Sequence, residues 1–402
     1  MRIALIDPSL FTWPYDRELA AGLSVIGNET LVFGKVLPAR HADAHEPLLR
    51  QHFYPAMAMP FWDRAPKSAV RALKGVSHIG SLARLWRTLW LWRPDVIHFQ
   101  WCPLPAVDGR FLPLFRRIAP IVLTVHDTMP FNGAPGSSLQ TWGALSVLRA
   151  FDRLIVHTDQ GIERVSAHVG GSECIARIPH GLLHDESDRH VPVAAKAAAD
   201  GTVTFLLFGQ IKPYKGVDVF LRALSQLGPE SRPRCRVRIV GKPYMNTEPL
   251  IDLARELGVE DLVRFEFRFV PDDELTAMLD DASMLVFPYR EIEASGVLMA
   301  SIARSRPVIA SKLGAFGELL MHGREGLLVP PGDDAALACA IDRVIREPGL
   351  LEGLSTGMDA LRLSIPDWGE IARRTVSVYD AARSHWSRPA DASAAARPGT
   401  VL

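Results

Sequence analysis

The stretch from Phe287 to Ser311, FPYREIEASGVLMASIARSRPVIAS, constrains the fold more tightly than any other part of the sequence. Leu285, Val286 and Phe287 form a short apolar run that stops at Pro288, which predicts a strand whose carboxyl edge is open. Val297, Leu298, Ala300, Ile302 and Ala303 then fall at helical spacing until Arg304 and Ser305, ahead of Pro307, and a second apolar run follows. Strand, loop, helix and strand in so few residues form the repeating unit of an α/β sheet. Ser295 predicts an N-cap and Gly296 lets a ligand approach the backbone, so the free amides of the first helical turn favour an anion in the loop. Glu293 stands just before them. A carboxylate beside an anion-binding helix start suits a ligand with a phosphate and a polyhydroxylated group close together, as in a nucleotide-sugar. On this stretch alone, an ordinary solvated loop acid fits Glu293 as well.

Short apolar runs ending in polar or turn residues recur from the first residues onward. Ile3 to Ile6 ends at Asp7-Pro8, a helix through Leu19, Leu23 and Ile26 closes at Gly27, and Leu31 to Phe33 makes the next strand. Val96-Ile97 and Ile121 to Val125 predict two more buried strands, the first ending at His98 and Gln100, the second at His126 and Asp127. Leu154 to Val156 repeats the pattern before His157-Thr158, and Ile175 to Pro179 leads to His180-Gly181. This alternation predicts a parallel, doubly wound sheet, in which ligands gather at the carboxyl ends of the strands. His126 is thus better placed than His98 to reach a substrate, although a strand-end histidine satisfied by a backbone carbonyl is the commoner arrangement. His98, nearer the interior of its strand, reads as structural.

At residues 191 to 201, VPVAAKAAADG, the composition turns small and weakly patterned, which marks a linker. A second set of units begins at Val203. Phe205 to Phe208 is a strand, Gly209 to Gly216 a turn, and Val219, Phe220, Ala223 and Leu224 the inward face of a helix. Glycines bracketing a turn that holds Lys212 and Lys215 predict a second anion cradle, facing the Ser295-Gly296 helix start and gripping the other side of a diphosphate. Two solvated lysines in a polar loop are the alternative. VRIVGKP (Val237 to Pro243) and LVRFEFRFVPDDEL (Leu262 to Leu275) are further units. In the latter, Phe269-Val270-Pro271 ends a strand where a nucleobase would lie against backbone. There is no GxxxxGK[ST], so a Walker-type hydrolase is excluded, and the first strand lacks GxGxxG. Residues 366 to 383 form a final helix with Trp368, Ile371, Val376 and Tyr379 available for packing, and residues 384 to 402 are a tail of low hydrophobicity, predicted to be disordered.

A chain of 402 residues exceeds what one core usually supports, so two domains are expected. Lys plus Arg and Asp plus Glu are both 45, so no overall charge points to nucleic acid as a partner. Between residues 51 and 117, however, ten bases stand against three acids. Within that span LARLWRTLWLWR, residues 82 to 93, places Leu82, Leu85, Trp86, Leu89 and Trp90 on one helical face and Arg84, Arg87 and Arg93 mainly off it. Such a segment suits the interface of an anionic membrane, and a core helix with a solvated basic rim fits the same pattern; the surplus of bases favours the membrane surface. The four cysteines show neither CxxC nor histidine at ligand spacing, so no metal site and no disulfide framework are expected. With no charged-then-apolar leader and no run of eighteen apolar residues, the expectation is a cytoplasmic protein, peripheral at most on the inner face of the cytoplasmic membrane.

YKG at Tyr214 to Gly216, the E-x-SG of Glu293, Ser295 and Gly296, RPVIAS at Arg306 to Ser311, GELL at Gly317 to Leu320 and GLLVPPGD at Gly326 to Asp333 follow one another over most of residues 203 to 340. With VHD at Val125 to Asp127 and PHG at Pro179 to Gly181, the chain resembles the retaining glycosyltransferases of family 4, of GT-B fold. The resemblance implies an α/β protein of two doubly wound, Rossmann-like domains facing a cleft: residues 1–190 hold the acceptor, 201–365 the nucleoside-diphosphate sugar, and helix 366–383 returns to the first domain. It implies no metal and no cofactor besides the donor substrate. Lys215 would contact the diphosphate, with Lys212, Gln210, Gly209, Ser295 and Gly296 around it. Glu293 would hold the donor sugar, His126 would approach it near the reacting carbon, and Phe269, Val270 and Ser301 fall on the nucleoside side. The sequence departs from the family twice: Ser301 stands where a second glutamate usually binds ribose, and Gln210 where many members carry arginine. The implied activity is transfer of a hexose to a glycan or glycolipid acceptor, expected to be a lipid-linked or polysaccharide intermediate of a cell-surface glycan. The departures leave a non-catalytic nucleotide-sugar-binding or partner subunit as the alternative; an epimerase would need acid and base carboxylates that have no evident place.

Overall fold

The computed structural model describes residues 1–38, 41–55, 67–127, 143–183, 195, 197–292 and 294–387. Its strands form two sheets in which every named pair is parallel, as buried runs without an alternating polar face require. The first sheet contains β1 (Arg2–Ile6), β2 (Glu29–Lys35), β3 (Leu49–Phe53), β4 (Val96–Phe99), β5 (Ile121–Thr124), β6 (Arg153–Val156) and β7 (Ile175–Arg177), in the order β3-β2-β1-β4-β5-β6-β7. The second contains β8 (Val203–Phe208), β9 (Cys235–Val240), β10 (Val263–Glu266), β11 (Met284–Phe287), β12 (Val308–Ser311) and β13 (Gly326–Val329), in the order β10-β9-β8-β11-β12-β13. In each sheet the order reverses once, between β1 and β4 and between β8 and β11. Such switch points open a crevice at the carboxyl edge, where ligands of open α/β sheets bind.

Helices α1 (Trp13–Val25), α2 (Lys67–Trp92), α3 (Pro105–Arg116) and α4 (Asp159–Val169) belong to the first sheet. Helices α5 (Val217–Ser225), α6 (Glu248–Glu256), α7 (Asp272–Asp281), α8 (Gly296–Ala303), α9 (Gly314–Leu319), α10 (Asp334–Arg346) and α11 (Leu350–Ser364) belong to the second. Each sheet is buried on both faces, with separate apolar clusters on either side. Among the described residues no helix is long and apolar enough to cross a membrane.

The last helix, α12 (Trp368–Ser384), starts shortly after Ile365; Asp367 caps it by accepting from the Glu370 amide at 2.7 Å. It packs on the first domain, with Ile371, Ala372 and Tyr379 buried beside Ile3, Leu5 and Leu19. Polar contacts help fix it there: the Trp368 indole donates to the Leu182 carbonyl at 2.8 Å, and the Tyr379 hydroxyl meets His98 Nδ1 at 2.7 Å. His98 is fully buried, its Nε2 lying 2.8 Å from the Thr124 hydroxyl, and burial lowers its pKa to about 3.

Three segments differ from expectation. β10 ends at Glu266, because its only partner among the described residues, β9, ends at Val240, so Phe267 to Pro271 form a loop. The helix read at 82–93 is the last half of the 26-residue α2, and its apolar face is core: Leu82, Leu85 and Leu89 are buried, with Trp86 and Trp90 packed on the same cluster. The final helix ends at Ser384, and residues 388–402 of the tail lie outside the described residues, as do 191–194 and 196 of the linker.

Candidate active site

The two switch points face one cavity of about 930 Å³. On the second-domain wall, β8 ends in a turn where Gly209 adopts φ +118 and Gly216 φ +65, left-handed conformations natural to glycine. Between them Pro213–Lys215 makes one tight turn and delivers Lys215 inward, 5% exposed. The Lys215 ammonium donates to the Tyr289 hydroxyl and lies 4.4 Å from the centre of that ring. Tyr289 is fully buried just beyond β11. Among the described residues no carboxylate pairs with Lys215. Burial first, and the charge of Lys212 second, lower its pKa from the ordinary 10.5 to about 7. A buried cation without a counter-ion is costly, and an arriving anion offsets that cost.

Facing Lys215 is the start of α8. Ser295 is its N-cap, its hydroxyl accepting from the Leu298 amide at 3.2 Å, and Gly296 and Val297 line the cavity. The first-turn amides therefore add partial positive charge on the same side as the ammonium. Gly209 and Gln210 line the cavity too. Lys212 is set back: its ammonium lies 5.9 Å from the centre of the Tyr214 ring and 5.7 Å from that of Tyr244. Burial lowers its pKa, and the Asp127 carboxylate from the first domain opposes that shift.

Other expected contacts are placed elsewhere. Ser301 is fully buried, and its hydroxyl donates to the Arg306 carbonyl at 2.8 Å, so it closes the end of α8 instead of facing a ribose. Phe269 is 70% exposed and Val270 buried, and neither is among the cavity-lining residues. That part of the wall is formed by Leu275, Thr276 and Leu279 of α7 with Ala300 of α8. Glu293 lies outside the described residues; its neighbours Ile292 and Ala294 both line the cavity. No group of three or more His, Cys, Asp or Glu is arranged to hold a metal ion among the described residues.

The first-domain wall carries His126, beyond β5. His157 Nδ1 donates to the Ile178 carbonyl at 2.9 Å, which leaves its Nε2 as the acceptor for His126 Nδ1 at 3.3 Å. His126 Nε2 is then an acceptor 2.9 Å from the Gln100 side chain, and the amide satisfies it by turning its NH2, otherwise without a partner among the described residues, toward the ring. Both ring nitrogens are taken by protein partners, and the ring itself is what lines the cavity. Burial, then the neighbouring His157 and His180, holds His126 well below the usual histidine range, so it is neutral at pH 7. Tyr15 sits at the centre of the cluster, its ring 4.9 Å from that of His126 and 5.0 Å from that of His180. Below it burial pushes Asp7 and Asp16 upward, Asp16 the more, with the Thr12 hydroxyl between them. Trp101, Phe11 and Tyr289 were not legible as site residues: each looks in sequence like one more core aromatic.

The two walls are clasped together. Glu318, in the GELL segment on α9, accepts from the Asp159 and Gln160 amides at 2.9 and 3.0 Å and so caps α4 across the cleft, with Arg177 at 3.7 Å. Replacing Glu318 by alanine frees two helix-start amides to water and is expected to weaken the closed arrangement by about 1 kcal/mol. A larger radius of gyration in solution scattering checks it; an unchanged radius contradicts a clasp.

Residues 202–347 match the family described as glycosyl transferases group 1, and residues 12–181 match glycosyl transferase 4-like domains. A D-inositol 3-phosphate glycosyltransferase from Thermobispora bispora is 30% identical over 325 residues, 75% of this chain and 74% of that protein. One from Streptomyces bingchenggensis is 28% identical over 305 residues, and the chain spans slightly less than two thirds of it, 66%, with 72% of its own length covered. Among solved structures, a sucrose-phosphate synthase from Thermosynechococcus elongatus superposes with TM-score 0.71 at 19% identity, covering 94% of this chain and 98% of that one. Anabaena Alr3699/HepE in complex with UDP and glucose does so with TM-score 0.69 at 19% identity, covering 94% and 99%. The fold is thus GT-B, and with its Lys215 cradle and Ser295-Gly296 helix start on one cavity, the chain belongs to the glycosyl transferases group 1, family 4 of the glycosyltransferases.

Proposed function

We propose that this chain moves a glycosyl group from a nucleoside-diphosphate sugar to an acceptor across the cleft. The observation that carries this reading is Lys215: a buried ammonium with no carboxylate partner among the described residues, opposite a helix start, in the cavity between the two domains. When the bond from the sugar to the diphosphate breaks, negative charge grows on the leaving oxygen. In this reading the buried Lys215 ammonium and the first-turn amides of α8 meet that charge, held in place before the reaction. Glu293 orients the donor sugar in this reading, and transfer proceeds with retention and without a metal, as the family resemblance implies. Ser301 and the hydroxyl it gives to a backbone carbonyl favour a second reading, a subunit that binds nucleotide-sugar without turnover.

Hydrolysis of UDP-, GDP- and ADP-sugars by the purified protein, alongside Glu293→Ala and Lys215→Ala, separates the two. Slow release of nucleotide from one donor, lost in both variants, is the expected result. Thermal stabilisation by a nucleotide with no turnover of any donor supports the non-catalytic subunit.

The acceptor is, in this proposal, a lipid-linked or polysaccharide intermediate of a cell-surface glycan, met at an anionic membrane surface. Supporting this, α2 leaves Val76, Ile79 and Leu91 exposed, and Arg87, one turn before Leu91, is exposed too. Sedimentation with phosphatidylglycerol vesicles is expected to lose the protein when Leu91 and Arg87 are both changed to glutamate. Equal sedimentation of that variant removes the membrane from the account.

A further inference from the structure

The switch point of the first sheet, between β1 and β4, carries features that donor binding does not use. After β1 the chain folds tightly around Asp7, whose carboxylate accepts from the Ser9 amide at 3.1 Å and the Thr12 amide at 3.0 Å. Leu10 is held at φ 51 in this loop, a conformation a branched residue rarely adopts, and the loop presents Phe11, 49% exposed. After β4 comes Trp101, its indole N–H donating to the Thr12 hydroxyl at 3.1 Å, which fixes the plane of the ring. Phe11 meets Trp101 edge to face at 5.6 Å, and His126 stacks against Trp101 at 5.7 Å with only 16° between the planes. All three rings line the cavity.

An apolar surface left uncovered inside a ligand cavity marks a contact for a ligand. Here its border is polar. Arg17, Gln160 and Arg164 line the same cavity, and Arg17 Nε and Gln160 Oε1 are buried with no hydrogen-bond partner among the described residues, one a donor and the other an acceptor. The flat Trp101 ring with the Phe11 ring standing against it makes an aromatic floor and side wall, and inside a rim of donors and acceptors this complements a pyranose, which has a face of C–H groups and an edge of hydroxyls that both give and accept. An alkyl chain would match the floor and leave the rim unanswered.

Resting on the donor reading above, we propose that Phe11 and Trp101 form the platform for a sugar ring of the acceptor, so that the group receiving the transferred sugar is itself a saccharide. The platform places that ring against His126, across the cavity from Lys215 and the start of α8.

The test is transfer from whichever sugar nucleotide the chain hydrolyses to a panel of p-nitrophenyl α- and β-glycosides of common hexoses, with farnesyl phosphate as a sugar-free acceptor. Wild type, Trp101→Ala, Phe11→Ala and Trp101→Phe are compared. At least one glycoside is expected to accept, and its KM relative to the donor KM is expected to rise at least about tenfold in Trp101→Ala, with much of that loss restored in Trp101→Phe. Phe11 is half exposed, so Phe11→Ala keeps its fold and is expected to show the same split, smaller. Undiminished use of the glycoside by both alanine variants overturns the platform. So does transfer to farnesyl phosphate alone, or donor hydrolysis with no glycoside accepted. Absence of donor hydrolysis by the wild type would instead remove the donor reading, and this one with it.

Discussion

Replacing Lys215 by alanine is expected to lower kcat/KM for the donor by roughly 10²- to 10³-fold, the range for loss of one preorganised group at a developing negative charge. The pH dependence should identify the cause. In the empty enzyme the Lys215 ammonium titrates near pH 7, because burial disfavours the charged form. Only the charged form attracts a diphosphate, so donor binding takes up a proton at pH values between that one and the higher pKa that Lys215 has beside the bound diphosphate. Donor KM should therefore be flat below about pH 7 and rise by up to about tenfold per unit above it. Tyr289→Phe sharpens the test. It retains the ring 4.4 Å from the ammonium and removes the hydroxyl that accepts its hydrogen bond. A hydrogen bond to the charged form raises a lysine pKa, so its loss should move the midpoint of the KM profile downward and cost about tenfold in kcat/KM at pH 7. A smaller kcat/KM with an unmoved midpoint would mean that Tyr289 only fills space.

The second large effect is structural. Gly216 sits at φ +65, and a Cβ there would fall 1.9 Å from the Pro288 carbonyl oxygen. Gly216→Ala combines a left-handed penalty of about 1–2 kcal/mol with overpacking of about 1–3 kcal/mol against backbone that cannot swing away. Gly216 follows Lys215, and Pro288 precedes Tyr289, so the forced movement separates the pair on which donor binding depends. The contrast is Gly27→Ala: Gly27 lies at φ +89, and a Cβ there would meet nothing within 4 Å, so this variant should show the backbone penalty alone. Thermal unfolding of the two variants is expected to give a roughly two- to threefold larger fall in Tm for Gly216→Ala, together with loss of donor affinity. Equal falls would contradict the steric account.

Much of the architecture was legible because buried parallel strands write themselves as short apolar runs closed by a polar residue or proline. Phe205 to Phe208, Leu285 to Phe287 and Ile121 to Val125 fall on β8, β11 and β5 and the residue beyond. Ser295 is the cap its position predicts, and α12 returns to the first domain through Trp368, Ile371 and Tyr379. What sequence could not supply is the direction in which a side chain points. Ser301 lies one turn beyond Val297 on α8, yet Val297 faces the cavity and Ser301 the Arg306 carbonyl, because the chain folds back there into β12. Phe269 and Val270 follow a run that looks like continued strand, but β9 stops at Val240 and leaves them in a loop. Leu82, Leu85 and Leu89 make an amphipathic face whose partner, the first-domain core, is invisible until the sheet is assembled. The same blindness hid Tyr289 and Trp101, whose roles depend on residues 74 and 89 positions away in the chain.

The most direct test of the central claim is proton uptake on nucleotide binding, measured by titration calorimetry at pH 8 in buffers of different ionisation enthalpy, with UDP, GDP and ADP. Wild type should take up close to one proton per nucleotide bound, and Lys215→Ala should bind weakly with uptake near zero. Tight binding without proton uptake, or the same uptake in Lys215→Ala, would show that the diphosphate does not charge Lys215 and would contradict the account.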